Sequence, residues 1–120
     1  MCGFAATTDG ARCRDFYERK LGFTVVGDDA MALVLDACGQ PIRIQKLRQH
    51  TPQSFTILGW NVSDMAATVR ALEASGVEML RIEGWQQDPH GVMDFPDGTR
   101  VAWFKDPDGN ILSLAQPGQP

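Results

Sequence analysis

Cysteine is scarce in this chain, and its placement argues against two kinds of small-protein scaffold. The 120 residues include three cysteines, Cys2, Cys13 and Cys38, which lie far apart and form no Cys-x-x-Cys pair. Disulfide frameworks and zinc knuckles both need regularly spaced cysteines. We therefore expect reduced thiols, and Cys2 has no basic neighbour that would activate it as a nucleophile.

The chain also lacks long apolar runs, blocks of one charge and the common catalytic motifs. No apolar run reaches the length of a membrane span, and the first residues show no secretory leader, so we expect a cytoplasmic protein that does not bind membranes. A net charge of −4, spread along the chain, argues against nucleic acid as a partner and permits a neutral or cationic small ligand. No nucleophile–base pair or dinucleotide fingerprint is visible, and we expect no cofactor.

What the sequence does contain is one order of strands and helix that occurs twice. In the first copy, a strand at residues 4–8 precedes Asp9, whose carboxylate suits a helix N-cap. Three further strands are predicted at residues 23–26, 31–35 and 42–47. The helix that follows Asp9 ends at Gly22, before these three strands. It carries one apolar stripe, formed by Cys13, Phe16, Tyr17 and Leu21.

The second copy starts with a strand at residues 55–62, followed by a helix that begins at Ser63 and Asp64 and ends at Gly76. Its further strands are predicted at residues 77–82, 92–95, 100–105 and 111–115. Two Pro-Asp-Gly turns, at residues 96–98 and 107–109, connect the last strands, and Asp106 can accept hydrogen bonds from the backbone of its own turn.

These elements predict a single α+β domain over residues 1–120. Module one is expected at residues 3–48, module two at residues 54–116 and a tail at residues 117–120. From Gln116 onward we expect the chain to fray.

The two copies resemble the vicinal oxygen chelate superfamily, which includes glyoxalase I, extradiol dioxygenases, fosfomycin-modifying enzymes and bleomycin resistance proteins. The resemblance is carried by Asp9, Phe16-Tyr17 and Leu21-Gly22-Phe23 in the first copy and by residues 104–110 in the second. It implies two tandem βαβββ modules whose mixed sheets curve into a cup. It does not imply one particular activity.

In metal-dependent members of that superfamily, four strands each place one ligand on the inner wall of the cup. The resemblance assigns these positions to Cys2, Gln45, Ile57 and Ser113, where such members usually show His or Glu. Isoleucine cannot coordinate an ion, and an amide with a hydroxyl is a weak neutral pair. We therefore expect no metal, and we expect His50 and His90 to be solvent-exposed loop residues.

With the strand faces set from those positions, the cup wall has the make-up of a small-molecule pocket. Trp103 can stack on a planar or cationic ligand or be ordinary core, and Arg43 can hold an anion or form a surface ion pair. Trp85, on the long loop at residues 83–90, can act in a lid or an interface, or simply cover a sheet edge. The residues expected to bind the ligand are Arg43, Gln45, Ile57, Gly59, Asn61, Trp85, Trp103 and Ser113.

Three function classes stay open at this point, and the sequence favours the first. It is a metal-free, non-enzymatic homodimer that sequesters a hydrophobic or aromatic molecule, including a cationic one, as bleomycin-resistance-type members do. The second is a metal-dependent lyase, isomerase or dioxygenase of the same superfamily, with ligands such as Glu73, Asp88 or His90. The third is a module that binds another protein through its sheet edges.

Overall fold

The computed structural model describes residues 3–37 and 39–118, so the expectations for Cys2 and Cys38 lie outside the described residues. The chain divides into two compact units, Met1–Ser54 with Asp106–Asn110, and Phe55–Lys105 with Ile111–Pro120. Each unit contains one four-stranded mixed sheet. The helices formed by the described residues do not include a candidate for a membrane-spanning segment.

The sheet of the first unit has the strand order β1–β4–β3–β2. Strand β1 pairs in parallel with β4, and the other neighbours are antiparallel. Along the chain the four strands occur in the predicted sequence, with strand ends displaced by one or two residues. The strands are β1 (Gly3–Thr7), β2 (Thr24–Asp28), β3 (Ala32–Ala37) and β4 (Gln40–Lys46).

The helical segment of the first unit changes its geometry part way along. Asp9 caps helix α1 (Gly10–Arg14) as predicted, since its side chain accepts a hydrogen bond from the backbone N–H of Arg12 at 3.1 Å. The next residues, Asp15–Lys20, form a π-helix, so the prediction of one uniform α-helix is wrong there. The wider π turn accommodates two adjacent buried aromatic side chains, Phe16 and Tyr17, whose ring centroids are 5.2 Å apart.

The sheet of the second unit has the order β5–β8–β7–β6, with β5 parallel to β8 and the other pairs antiparallel. Helix α2 (Met65–Ala74) is capped by Asp64 and packs against β7 and β8. It buries Met65, Val69 and Leu72. The strands are β5 (Thr56–Asn61), β6 (Met93–Asp94), β7 (Arg100–Lys105) and β8 (Ile111–Gln116).

Residues 77–82 do not form the predicted strand. Within the described chain their sheet-like contacts with β7 are one isolated bridge, Met79 to Phe104, and one hydrogen bond from Leu80 N to the Trp103 carbonyl at 2.7 Å. The side-chain amide of Gln87 bonds the Leu80 carbonyl and the Ile82 N–H, the backbone groups to which a neighbouring strand would bond.

The expectation that the chain frays from Gln116 is wrong for Gln116 itself. Gln116 is the last residue of β8, and its Oε1 accepts a hydrogen bond from the backbone N–H of Met65 at 2.7 Å. Met65 is the first residue of α2, where backbone donors have no partner within the helix. The side chain of Gln116 therefore provides a hydrogen-bond acceptor for a free backbone N–H at the N-terminus of α2.

A buried carboxylate, Asp106, organises the polar interior of the first unit. Its Oδ2 accepts hydrogen bonds from the Tyr17 hydroxyl and the Asn110 side-chain amide, both at 2.8 Å. Its Oδ1 accepts from the backbone N–H groups of Asp108 at 3.0 Å and Asn110 at 2.9 Å, which confirms the predicted self-bonding of this turn. Burial raises the pKa of Tyr17 well above its usual value, and the charge of Asp106 adds to the shift, so the phenol keeps its proton and donates.

His50 belongs to the same cluster, which corrects its prediction as a solvent-exposed loop residue. It is half-buried, and its Nε2 lies 2.7 Å from Asn110 Oδ1. The Asn110 amide nitrogen already donates to the Ala6 carbonyl and to Asp106. Oδ1 is therefore an acceptor, and His50 must carry a proton on Nε2.

The second acidic residue of this turn, Asp108, binds the end of β1. Its carboxylate accepts hydrogen bonds from the Thr7 hydroxyl, from the backbone and hydroxyl of Thr8, and from Arg12. Burial acts to raise the pKa of Asp108, but these hydrogen bonds and the charge of Arg12 outweigh it, and the pKa lies below its usual value. Asp108 therefore stays ionised.

The fully buried thiol of Cys13 lies close to the same turn. Burial raises the pKa of Cys13 to about 12, and the hydrogen bond with Thr7 only partly opposes this effect. A thiol in this state is not a nucleophile near neutral pH. Cys13 is therefore a core residue, as the apolar stripe indicates.

We expect Tyr17→Phe to lower the free energy of unfolding by about 2 kcal/mol, because it removes a hydrogen bond to a buried carboxylate without leaving a cavity. Urea denaturation followed by far-ultraviolet circular dichroism measures the change. An unchanged midpoint would show that the Tyr17 hydroxyl contributes nothing to the bonding of Asp106.

Candidate functional site

The two faces of the second unit's sheet differ in composition. Residues that alternate toward α2 are almost fully buried, namely Ala102, Phe104, Leu112 and Leu114. Trp103 and Ser113 alternate with them and therefore lie on the opposite face. We call this opposite face the wall face, formed by Gly59, Asn61, Val101, Trp103, Ser113 and Ala115.

Gly59, Ser113 and Trp103 lie side by side across three strands of the wall face. Ser113 is the register partner of Gly59 on β5 and of Trp103 on β7. A Cβ atom at position 59 would lie 2.7 Å from Ser113 Oγ. The absence of a side chain at Gly59 therefore gives the hydroxyl its space beside the indole.

Of the two remaining predicted residues on β5, only one follows the strand alternation. Asn61 is exposed and lies two residues beyond Gly59, so it shares the wall face. Ile57 lies at a β-bulge between Thr56 and Leu58 and has no register partner on β8. Its assignment to the wall face therefore does not follow from alternation.

The predicted loop residue Trp85 contacts the wall face directly. Its ring centroid is 5.1 Å from that of Trp103, with an angle of 69° between the ring planes. Trp85 is 47% exposed, so it remains accessible to a ligand while it contacts its partner. An edge-to-face pair at this distance is a favourable aromatic arrangement.

A cleft of about 510 Å³ adjoins Trp85, and its charged lining residues are acidic. Asp94 accepts a hydrogen bond from Arg100 Nε at 2.9 Å, and Asp88 lies 3.8 Å from Nη2 of the same guanidinium. Two carboxylates thus share one cation at the cleft. The lining residues are Gly84, Trp85, Gln86, Asp88, Val92, Met93 and Asp94.

The other two predicted site residues, Arg43 and Gln45, lie on β4 of the first unit, and both are exposed. Their neighbours in the strand, Ile42 and Ile44, are buried, which confirms the predicted alternation there. Arg43 is the register partner of Phe4, which is also exposed. Within the described residues Arg43 forms no ion pair, so the predicted alternative of a surface ion pair is not observed.

The carboxylate and histidine residues considered as possible metal ligands in the second unit are Glu73, Asp88 and His90. His90 Nδ1 lies 2.8 Å from Glu73 Oε1, and both side chains are exposed, as predicted for His90. One carboxylate oxygen of Asp88 accepts hydrogen bonds from the backbone N–H groups of His90 and Val92. Over residues 3–37 and 39–118, no group of three or more His, Cys, Asp or Glu side chains could hold a metal ion.

The positions that the resemblance assigns to metal ligands do not fit a divalent cation. The described residues there are Gln45, Ile57 and Ser113. Ile57 has no donor atom, and an amide and a hydroxyl carry no charge to offset the dehydration of the ion. The fourth position, Cys2, lies outside the described residues.

Sequence reasoning missed the residues that shape the cleft and its loop. Gln87 bonds three backbone groups of the loop, and Arg100 links Asp88 to Asp94. Asp88, which directly precedes Pro89, was a detectable signal of a turn, because aspartate and proline are both common in turns. A glutamine whose side-chain amide bonds the backbone of its own loop leaves no pattern in the sequence.

Comparison with known proteins gives a family match and a shared fold. The family model described as Glyoxalase/Bleomycin resistance protein/Dioxygenase superfamily matches residues 4–114. A comparison with curated protein sequences finds no match.

Three solved structures illustrate the shared fold. A glyoxalase family protein from Bacillus anthracis has a TM-score of 0.76 and 16% identity, with 97% of this chain and 92% of that chain covered. A bleomycin resistance determinant encoded on transposon Tn5 has a TM-score of 0.75 and 23% identity, with 99% and 98% covered. A lactoylglutathione lyase from Agrobacterium tumefaciens has a TM-score of 0.74 and 13% identity, with 97% and 91% covered. These likenesses confirm the predicted α+β fold with two βαβββ-like modules.

We expect Gly59→Ala to lower the free energy of unfolding by about 1 kcal/mol, because the new methyl group forces the Ser113 hydroxyl out of its position. Gly27→Ala is the matched control, since a Cβ there meets only an ordinary contact of 3.7 Å with Val34. Urea denaturation should show little change for the control. Adding Ser113→Ala to Gly59→Ala should restore the loss, and failure to restore it would show that the hydroxyl is not the obstacle.

Proposed function

Since the chain belongs to the glyoxalase/bleomycin resistance protein/dioxygenase superfamily, we propose that it is a metal-free protein that binds a small hydrophobic or aromatic molecule, including a cationic one. The observation that carries the proposal is the contact between Trp85 and Trp103 on the wall face of the second unit. The bound molecule is sequestered and leaves unchanged.

The Trp85–Trp103 pair supports the proposal because it combines accessibility with fixed geometry. A ligand ring can stack on an exposed indole that a second indole already holds in place. Beside the pair, Ser113 offers one hydroxyl, which the absence of a side chain at Gly59 accommodates. Small-molecule sites commonly combine apolar surface with a few polar groups in this way.

The charges around Trp85 favour a cation over an anion. The cleft beside Trp85 is lined by Asp88 and Asp94, and the neighbouring Arg100 neutralises one of these two charges. An indole face attracts a cation by its quadrupole, and the net charge of −4 acts in the same direction at long range.

The donor set supports binding without a metal. Gln45, Ile57 and Ser113 do not provide the carboxylate or imidazole groups that a divalent ion needs. The name of the bleomycin resistance determinant shows that a protein of this fold confers resistance to a drug. We therefore include antibiotics among the candidate ligands.

We expect tryptophan fluorescence of the purified protein to change saturably with at least one of four probes, bleomycin, ethidium, naphthalene and naphthalenesulfonate. Ethidium, a planar cation, should bind more tightly than the anionic naphthalenesulfonate. Trp103→Ala should raise the dissociation constant roughly fivefold or more, because it removes at least about 1 kcal/mol of stacking. Trp60→Phe is the control, since Trp60 is the register partner of the buried Leu114 and lies on the other face.

Two results would contradict the proposal. One is the absence of any response to all four probes. The other is a stoichiometric Zn, Ni, Fe or Mn content in the purified protein by elemental analysis, which would support a metal-dependent lyase, isomerase or dioxygenase.

A further inference from the structure

The side-chain amide of Gln87 bonds three backbone groups from two stretches of the chain. Its Nε2 donates to the carbonyl of Leu80 at 3.0 Å and to that of Gly91 at 2.7 Å. Its Oε1 accepts from the N–H of Ile82 at 2.7 Å. The bonds to Leu80 and Ile82 are those that a strand paired with residues 80–82 would make, so one side chain takes the place of a strand at this position.

The partners of Gln87 connect both indoles of the aromatic pair. The N–H of Trp85 donates to the carbonyl of Ile82 at 3.1 Å, and Ile82 in turn donates to Gln87. The N–H of Leu80 donates to the carbonyl of Trp103 at 2.7 Å, and the carbonyl of Leu80 accepts from Gln87. Trp85 and Trp103 are thus both bonded to residues 80–82, and Gln87, two residues beyond Trp85, anchors the loop to that same segment.

Besides the bond from Gln87 to Gly91, the far end of the loop has hydrogen bonds that do not involve Gln87. Asp88 accepts from the N–H groups of His90 and Val92 and donates its own N–H to the Val92 carbonyl at 2.8 Å. Gly91 has a φ of +84°, and a Cβ atom there would lie 3.1 Å from the Met79 Cβ. Because residues 88–92 keep these bonds without Gln87, loss of its amide should release mainly the part of the loop that carries Trp85.

We propose that Gln87 is the positioning residue that holds Trp85 against Trp103 and so presets the aromatic wall for a ligand. Only a neutral amide of this length supplies two donors and one acceptor at the same place. A carboxylate would keep the bond from Ile82 and lose both bonds to carbonyls. The consequence for ligand binding rests on the proposed function, whereas the position of Trp85 does not.

The test compares Gln87→Glu with Gln86→Glu, which makes the same change of charge on the neighbouring, exposed side chain. Two indoles in edge contact give an exciton couplet in circular dichroism, and Trp85→Phe identifies it by removing it. We expect Gln87→Glu to reduce the couplet at least about twofold as the paired population falls, and Gln86→Glu to preserve it. An unreduced couplet in Gln87→Glu, with the chain folded, would overturn the inference.

If Gln87→Glu fails to fold, Gln87→Leu takes its place, because it keeps the bulk of the side chain, removes all three hydrogen bonds and adds no charge. The couplet is then read against Gln86→Leu. Loss of the couplet in Gln87→Leu alone supports the inference, and its persistence overturns it.

Ethidium titration separates this inference from the proposed function. In Gln87→Leu, which adds no charge near the cation, the dissociation constant of ethidium should rise at least about twofold, in proportion to the loss of the paired population. No response of the unaltered protein to any of the four probes, together with loss of the couplet in Gln87→Glu, would count against the proposed function and leave the role of Gln87 standing. Normal binding and a normal couplet in Gln87→Glu would overturn the role of Gln87 and leave the proposed function standing.

Discussion

The bonding of the buried Asp106 carboxylate is the constraint on which the rest of the structure depends. A buried carboxylate is costly unless several donors surround it, and Asp106 has two from side chains and two from its own turn. The hairpin is closed by hydrogen bonds from Asp106 N to Asn110 O and from Gly109 N to Asp106 O, both at 3.0 Å. Gly109 has a φ of +87°, which other residues rarely adopt.

The register of this hairpin decides which residues form the candidate site. With the turn closed at Asp106 and Asn110, Lys105 pairs with Ile111 and Trp103 pairs with Ser113. A slip of one residue would move Trp103 and Ser113 onto the face that packs against α2. The wall face is therefore a consequence of turn chemistry, and the loop residue Gln87 then determines what stands against it.

Much of the fold could be predicted because its signals are local. The caps at Asp9 and Asp64 and the Pro-Asp-Gly turns act within a few residues, and the alternation along β4, β7 and β8 reflects one buried face. The failures depend on which side chain meets which backbone group, and no periodic pattern in the sequence encodes that. Residues 77–82 have strand-like composition, but a side chain several residues away takes the place of a partner strand.

The candidate site was predictable only in part for the same reason. Gly59, Trp103 and Ser113 are brought together by strand register, which alternation and turns encode. The contact between Trp85 and Trp103, the bulge at Ile57 and the bonding of His50 depend on how separate segments meet. Such contacts are set by packing and by hydrogen bonds, which cannot be predicted from the composition or periodicity of the sequence.

The most direct test of the central claim is a titration of ¹⁵N-labelled protein with ethidium, followed through the three indole N–H resonances by NMR. The account predicts that the resonances of Trp85 and Trp103 shift together and saturate at the same ethidium concentration, while that of Trp60 stays in place. A shift confined to Trp60, or no saturable shift at Trp85 and Trp103, would contradict the account.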